Sequence, residues 1–165
     1  MNLYDFLAEE RNGVIFCKIG KSSNEMWGKG GYFPYRDYIG RTIELSEGEI
    51  TFERLDDVVK YLHYGDDLVI FSFIDGENDL PCDGYDDNKS NKGCYNTKYI
   101  YVKEVLSFCD ASTVSYIYNN AKDKTNFVEY GNLAISHLKD RNLLEAMQRW
   151  EELLNDKSVD NDHNK

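Results

Sequence analysis

The chain has 165 residues, 41% of them hydrophobic and 14% aromatic, and its formal charge at pH 7 is −11. This composition is too apolar for a disordered chain and is typical of a domain with a buried core. The negative charge argues against direct nucleic-acid binding, and no apolar run reaches the roughly 18 residues of a membrane span. Because the first residues also lack the pattern of a signal peptide, we expect a cytoplasmic protein.

The first 45 residues predict one helix and two strands. Apolar residues at helical spacing predict a short N-terminal helix, which the turn pair Asn12-Gly13 ends. A strand is predicted over 14–19 and a second one over 39–45. Between them, residues 20–38 combine glycines with five aromatic side chains and predict an irregular loop.

The middle of the chain contains the clearest strand pattern. A helix over 52–63 is predicted by an apolar stripe, with Thr51 as its N-terminal cap. The nearly all-apolar run 68–74 then predicts a central strand that is buried on both faces. The polar stretch 75–98 is longer than most connections in compact domains. A strand is predicted over 98–108, with a helix as the alternative for its second half.

The last third of the chain is helical in pattern. Three amphipathic helices are predicted over 112–122, 127–138 and 143–154, and residues 156–165 are expected to form a disordered polar tail. A small, mostly antiparallel sheet in the N-terminal two thirds followed by helices is an α+β arrangement. We expect a single α+β domain over residues 1–155.

Residues 133–154 resemble one tetratricopeptide unit, because Ala146 and Trp150 occupy small and aromatic packing positions. The resemblance implies two antiparallel helices. It covers one unit only, whereas such arrays need about three units to bury a continuous core. We therefore favour an ordinary helical hairpin packed against the sheet.

The negative charge is concentrated in one window of the chain. Residues 44–87 contain 14 acidic and two basic side chains, and the rest of the chain is nearly neutral. An acidic field of this kind attracts basic partners, although acidic residues also serve simply to solvate a surface. We expect the acidic residues that bind a protein partner to be Glu49, Glu53, Asp56, Asp57, Asp66, Asp67, Asp75, Glu77, Asp79, Asp83, Asp86 and Asp87.

This pattern predicts a non-catalytic binding protein that docks on a basic protein surface, as an inhibitor, an immunity protein or an anti-defence protein does. A nucleic-acid-processing enzyme is the natural target, because its channel is positively charged, and the acidic protein would then act as a nucleic-acid mimic. The composition is rich in Asn, Lys, Ile and Tyr, which is typical of AT-rich bacterial and phage genes.

The aromatic loop 20–38 supports a second hypothesis. Aromatic rings stack on bases and cations bind phosphates, so Trp27, Lys29, Tyr32, Tyr35 and Arg36 are candidates for a small nucleotide site or an enzyme active site. The alternative is that the loop folds back and buries its rings as a minor core. The two readings differ in whether the ring faces are open or covered.

Other chemical motifs fail on spacing. Gly20-Lys21-Ser22 resembles the end of a phosphate-binding loop, but Ile15 occupies the position of the required glycine. The acidic loop 75–88 does not match a calcium-binding register, and no Cys-x-x-Cys pair is present for zinc. We therefore expect no catalytic residue, no metal and no cofactor, and we expect all four cysteines to be free thiols.

Overall fold

A computed structural model of the protein describes residues 3–21, 31–45, 50–73, 82–84, 95–97, 99–122 and 144–155. The elements in chain order are α1 (Leu3–Arg11), β1 (Phe16–Gly20), the 3₁₀ helix η1 (Tyr35–Tyr38), β2 (Thr42–Glu44), β3 (Ile50–Arg54), the 3₁₀ helix η2 (Leu55–Tyr64), β4 (Asp67–Ser72), β5 (Cys82–Gly84), β6 (Tyr95–Thr97), β7 (Tyr99–Ser107), α2 (Ala111–Asn120) and α3 (Leu144–Leu154). An antiparallel sheet followed by helices confirms the predicted α+β class.

The strands form one sheet in the order β2-β7-β4-β1-β3-β6-β5, and all of its strand pairs are antiparallel. The first five strands in this order, β2, β7, β4, β1 and β3, make up the main part of the sheet. Strand β3 joins this part to the two short strands beyond it, because its first three residues pair with β6 while Glu53 and Arg54 pair with β1. The short strands β2 and β5 lie at the two edges.

Strand β4 confirms the central strand predicted over 68–74. It pairs with β1 on one side and with β7 on the other, where a bulge shifts the register between Ile70 and Phe71. Its side chains alternate between the two faces of the sheet, as strand geometry requires. Leu68 and Ile70 belong to one core cluster, and Val69 and Phe71 belong to the other. Both faces of the strand are therefore buried.

The two faces of the sheet have different coverings. One face packs against η2, α2 and α3, whose buried side chains include Val58, Ile117 and Trp150. The other face carries an aromatic cluster in which Phe6 of α1 contacts Phe16 and Phe52 edge-to-face, at ring-centroid distances of 5.5 and 5.3 Å. Edge-to-face ring pairs add a favourable electrostatic contribution to the burial of apolar area.

An ion pair fixes helix α1 against this second face. The Arg54 guanidinium lies 2.6 Å from Glu9 Oε1, donates a hydrogen bond to the Tyr95 hydroxyl and stacks over the Tyr95 ring. The helix ends at the predicted Asn12-Gly13 turn, where Gly13 has a φ of 92°. That left-handed conformation favours glycine because it has no Cβ.

The predicted helix over 52–63 begins later than expected. Phe52 and Glu53 belong to β3, and the helical segment η2 starts at Leu55, so Thr51 is a strand residue and not a cap. The apolar stripe itself is correct, since Leu55, Val58, Val59 and Leu62 are all buried. The strand extends through residue 54 because β6 and β1 supply backbone partners that a helix would forgo.

Other boundaries also differ from the predictions. The strand expected over 39–45 is shorter, because Gly40 turns the chain with a φ of 79° before β2 begins. The stretch 75–98, predicted as a connection, contains β5 and β6. The strand over 98–108 is extended throughout its second half, so the helical alternative is wrong. The helix predicted over 127–138 and the tail 156–165 lie outside the described residues.

We expect Ile70→Asp to destabilise the protein by several kcal/mol. The substitution places a carboxylate without a partner in the core between the sheet and the helices η2, α2 and α3. Thr51→Asp, an exposed position in β3, is the matched control and should unfold close to the wild-type temperature. The measurement is thermal unfolding followed by circular dichroism. A cooperative transition of Ile70→Asp at the control's temperature would contradict burial of β4.

Candidate functional site

The structure divides the acidic window into exposed and buried members. Glu44 is exposed, and Asp56 and Asp57 on η2 are partly buried. Glu53, Asp66 and Asp67 are buried, with relative exposures of 2%, 3% and 1%. The expectation that these last three lie on an open docking surface is therefore wrong. Their negative charge, counted in the sequence, is not presented to a partner.

Glu53 is buried because residue 53 belongs to a strand and not to the exposed face of a helix. It pairs with Cys17 across β1 and β3, next to η2. Burial raises the pKa of its carboxyl from the usual 4.5 to about 8; the Lys18 ammonium opposes this shift and the Asp57 carboxylate adds to it. At neutral pH the Glu53 side chain is therefore mostly protonated and contributes little charge.

Cys17, beside Glu53, is poorly suited to nucleophilic catalysis. Burial, followed by the carboxylates of Glu53 and Asp56, raises the pKa of its thiol well above the usual 9.0. The reactive form of cysteine is the thiolate, which this environment disfavours. Cys17 and Cys109 are free thiols.

Asp67, at the start of β4, is held by an ion pair with η1. The Arg36 guanidinium donates a hydrogen bond of 2.7 Å to Asp67 Oδ1, and the Arg36 side chain is 47% exposed while that of Asp67 is 2% exposed. Asp66 is positioned by its backbone, which donates to the carbonyl of Gly20 and accepts from the amide of Phe108. Both aspartates thus help to join strand ends.

Of the five residues of the second hypothesis, the structure describes Tyr32, Tyr35 and Arg36, and these three do not present one open aromatic surface. Tyr35 is buried, and a Cβ atom added at Gly20 would lie 2.9 Å from the Tyr35 ring. The Tyr35 ring therefore covers the sheet, and Arg36 is engaged by Asp67. Tyr32 is 49% exposed. Trp27 and Lys29 lie outside the described residues.

Apart from Glu47 and Glu49, which precede β3, the rest of the acidic window follows β4 in the chain. Asp83 belongs to β5, the edge strand that pairs with β6. The predicted binding residues that fall outside the described part of the chain are Glu49, Asp75, Glu77, Asp79, Asp86 and Asp87. We call residues 75–87 the acidic segment. It contains six acidic and no basic side chains and includes the whole of β5.

A cleft between α1 and the end of β4 was not predicted from the sequence. It has a volume of about 260 Å³ and is lined by Leu7, Glu10, Arg11 and Phe73. The signal in the sequence was the i, i+3, i+4 spacing of Leu7, Glu10 and Arg11, which puts three lining residues on one helical face. Their juxtaposition with Phe73 depends on tertiary packing and has no local signal.

In the described part of the chain, no three metal-binding side chains come together, and none of the helices is long and apolar enough to cross a membrane. No known protein family, no curated protein and no solved structure matches the chain.

We expect the stability of the wild-type protein to fall as pH rises from 4.5 to about 8. In this window the folded protein retains the Glu53 proton, whereas the unfolded chain, with the usual pKa, has lost it. The contribution of Glu53 is at most about 1.4 kcal/mol per pH unit and levels off above the folded-state pKa.

Glu53→Gln isolates this contribution, because the amide keeps the size of the side chain and does not ionise. The unfolding free energy of the variant minus that of the wild type should become more positive as pH rises from 4.5 to about 8. Urea unfolding at several pH values gives this difference. If it is independent of pH, Glu53 is ionised in the folded protein and our assignment is wrong.

Arg36→Ala should destabilise the protein by roughly 2 kcal/mol, because it leaves the Asp67 carboxylate buried without its cation; the exposure of Arg36 moderates the cost. Arg41→Ala, which removes an exposed guanidinium from over the Tyr38 ring, is the matched control and should cost less. Chemical denaturation compares the two, and equal losses would argue against a structural role of the ion pair.

Proposed function

We propose that the protein is a non-catalytic binding protein whose acidic surface docks on a basic surface of a protein partner. The observation that carries this proposal is the acidic segment, in which six carboxylates occur without one basic side chain. Part of the segment is β5, at the edge of the sheet. An edge strand is accessible to a partner in a way that a central strand is not.

The burial of Glu53, Asp66 and Asp67 sharpens the proposal. Twelve residues were first expected to bind a partner, and without these three the acidic segment contains six of the remaining nine. The opposite edge of the sheet has mixed charge, since Glu44 in β2 follows the exposed Arg41. A basic partner is therefore attracted to the β5 edge more strongly than to the β2 edge.

The chemistry of the proposed partner follows from this field. The carboxylates of the acidic segment resemble the phosphates of a nucleic acid in the sign of their charge, and a positively charged channel binds both. We therefore infer a nucleic-acid-processing enzyme as the class of target and inhibition as the effect, in the manner of an immunity or anti-defence protein from a phage or other mobile element. Direct binding of nucleic acid is disfavoured by the same charge.

The Cys17 environment and the buried Tyr35 ring also support a binding role over an enzymatic one. The thiol is protonated, and the ring face that would stack on a base is covered.

The triple variant Asp75→Asn, Glu77→Gln, Asp79→Asn should slow association with the partner by about tenfold at low salt and reduce the salt dependence of binding, because steering depends on the charge near the contact. The partner is first isolated from lysate by affinity purification at low salt. Association rates are then measured with purified proteins over a range of ionic strength.

The matched control is Glu145→Gln, Glu151→Gln, Glu152→Gln, which removes the same charge from exposed positions of α3. It should associate at nearly the wild-type rate. If the two triple variants slow association equally, net charge alone matters and the acidic segment is not the docking surface.

A further inference from the structure

We propose that the cleft between α1 and β4 is the site where this protein receives a lysine side chain of its partner. The inference rests on the proposed docking function and adds a specific contact to it. The cleft is defined by its four lining residues, Leu7, Glu10, Arg11 and Phe73.

The cleft combines an apolar floor with one carboxylate. Leu7 and Phe73 are buried in the core that contains the aromatic cluster, so they provide a fixed apolar surface. Glu10 is partly buried at the edge of this surface. An aliphatic stem that ends in a cation satisfies both parts, since the stem covers the floor and the cation reaches the carboxylate.

The Glu10 carboxylate is held in place before any ligand binds. Its Oε1 accepts a hydrogen bond of 2.9 Å from the backbone amide of Phe73. The preceding residue, Glu9, is bound by Arg54, so the C-terminal half of α1 is anchored at two adjacent positions. A preorganised acceptor binds more tightly than a mobile one because less conformational freedom is lost.

The geometry favours lysine over arginine. Because Oε1 already accepts from Phe73, Glu10 offers Oε2 as the oxygen for a ligand, and among the described residues no donor is bonded to Oε2. A guanidinium binds a carboxylate best through two parallel hydrogen bonds, whereas an ammonium needs one acceptor and keeps its other hydrogens in water. A single accessible oxygen in a cleft open to solvent therefore suits an ammonium.

Two cations near Glu10 must be considered. Arg11 lines the cleft, and its Nε donates a hydrogen bond to the carbonyl of Leu7. Burial raises the pKa of the Glu10 carboxyl, and the positive charge of Lys103 opposes this shift. Both side chains are exposed, so solvent screens their charge more than that of the partly buried carboxylate. They lower the attraction of the cleft for a cation, so the proposed contact depends on the short-range hydrogen bond to Glu10 Oε2 and not on the net charge of the cleft.

The position of the cleft links it to the proposed docking surface. The acidic segment begins two residues after Phe73 in the chain. Chain connectivity keeps Asp75, the first residue of the segment, within about 7 Å of Phe73, so a partner that contacts this end of the segment is close to the cleft. The segment supplies long-range attraction, and the cleft supplies a short-range contact with one side chain.

The test uses Nα-acetyl-lysinamide as a probe and follows backbone amide resonances of the full-length protein by NMR at neutral pH and low salt. We expect saturable shifts at Leu7, Glu10 and Phe73. Nα-acetyl-norleucinamide, which has a similar stem and no charge, should bind less tightly, and Nα-acetyl-argininamide should bind no more tightly than the lysine probe.

Two variants with opposite expected effects make the test decisive. Glu10→Gln should weaken binding of the lysine probe by up to about fivefold, which is the range of a partly exposed ion pair. Arg11→Gln should strengthen it by removing a like charge. Asp5→Asn, at an exposed position of the same helix, should leave it unchanged, and circular dichroism verifies that each variant is folded.

Three results would overturn the proposal: no saturable shift in the wild type, equal affinity for the lysine and norleucine probes, or changes of the opposite sign in Glu10→Gln and Arg11→Gln. The last would identify the cleft as a site for an anion. Because this test uses a small probe, its failure is independent of the association experiment on the acidic segment, and either can fail alone.

Discussion

The structure depends on a sheet that is buried on both faces, with β4 near its middle. This strand supplies side chains to both core clusters, so the helices on one face and the aromatic cluster on the other are packed against the same backbone. Antiparallel sheets often leave one face in water and then show alternating polarity. Here the alternation is absent from β4 because neither face is solvated. Every other element is positioned, directly or through a neighbour, by this double burial.

Burial also explains which predictions from sequence were confirmed and which were wrong. The β4 strand was predictable, since a short run of apolar residues between polar turns has few other stable conformations. The start of η2 was not, because residues 52–54 continue the helical apolar pattern but gain pairing partners in β6 and β1. Those partners are distant in sequence, and local periodicity contains no information about them. The α1–β4 cleft was missed for the same reason.

The acidic window shows a second limit of sequence reasoning. A count of carboxylates treats each as a surface charge, yet Glu53 and Asp67 are buried for different structural reasons. Asp67 is neutralised by Arg36, and Glu53 is mostly protonated at neutral pH. The described residues of the acidic window therefore present less negative charge to solvent than the formal charge implies. Strand alternation alone puts Glu53 on the face of the exposed Thr51, opposite Ile50 and Phe52, so its burial depends on the pairing with β1 and on the packing of η2.

The shortness of the two edge strands has a consequence for the behaviour of the protein at high concentration. Strands β2 and β5 have three residues each, and each carries an acidic residue, Glu44 and Asp83. So few backbone groups cannot hold another sheet edge firmly, and two approaching copies bring like charges together. Short edge strands of this kind thus disfavour strand-mediated association between copies of the protein.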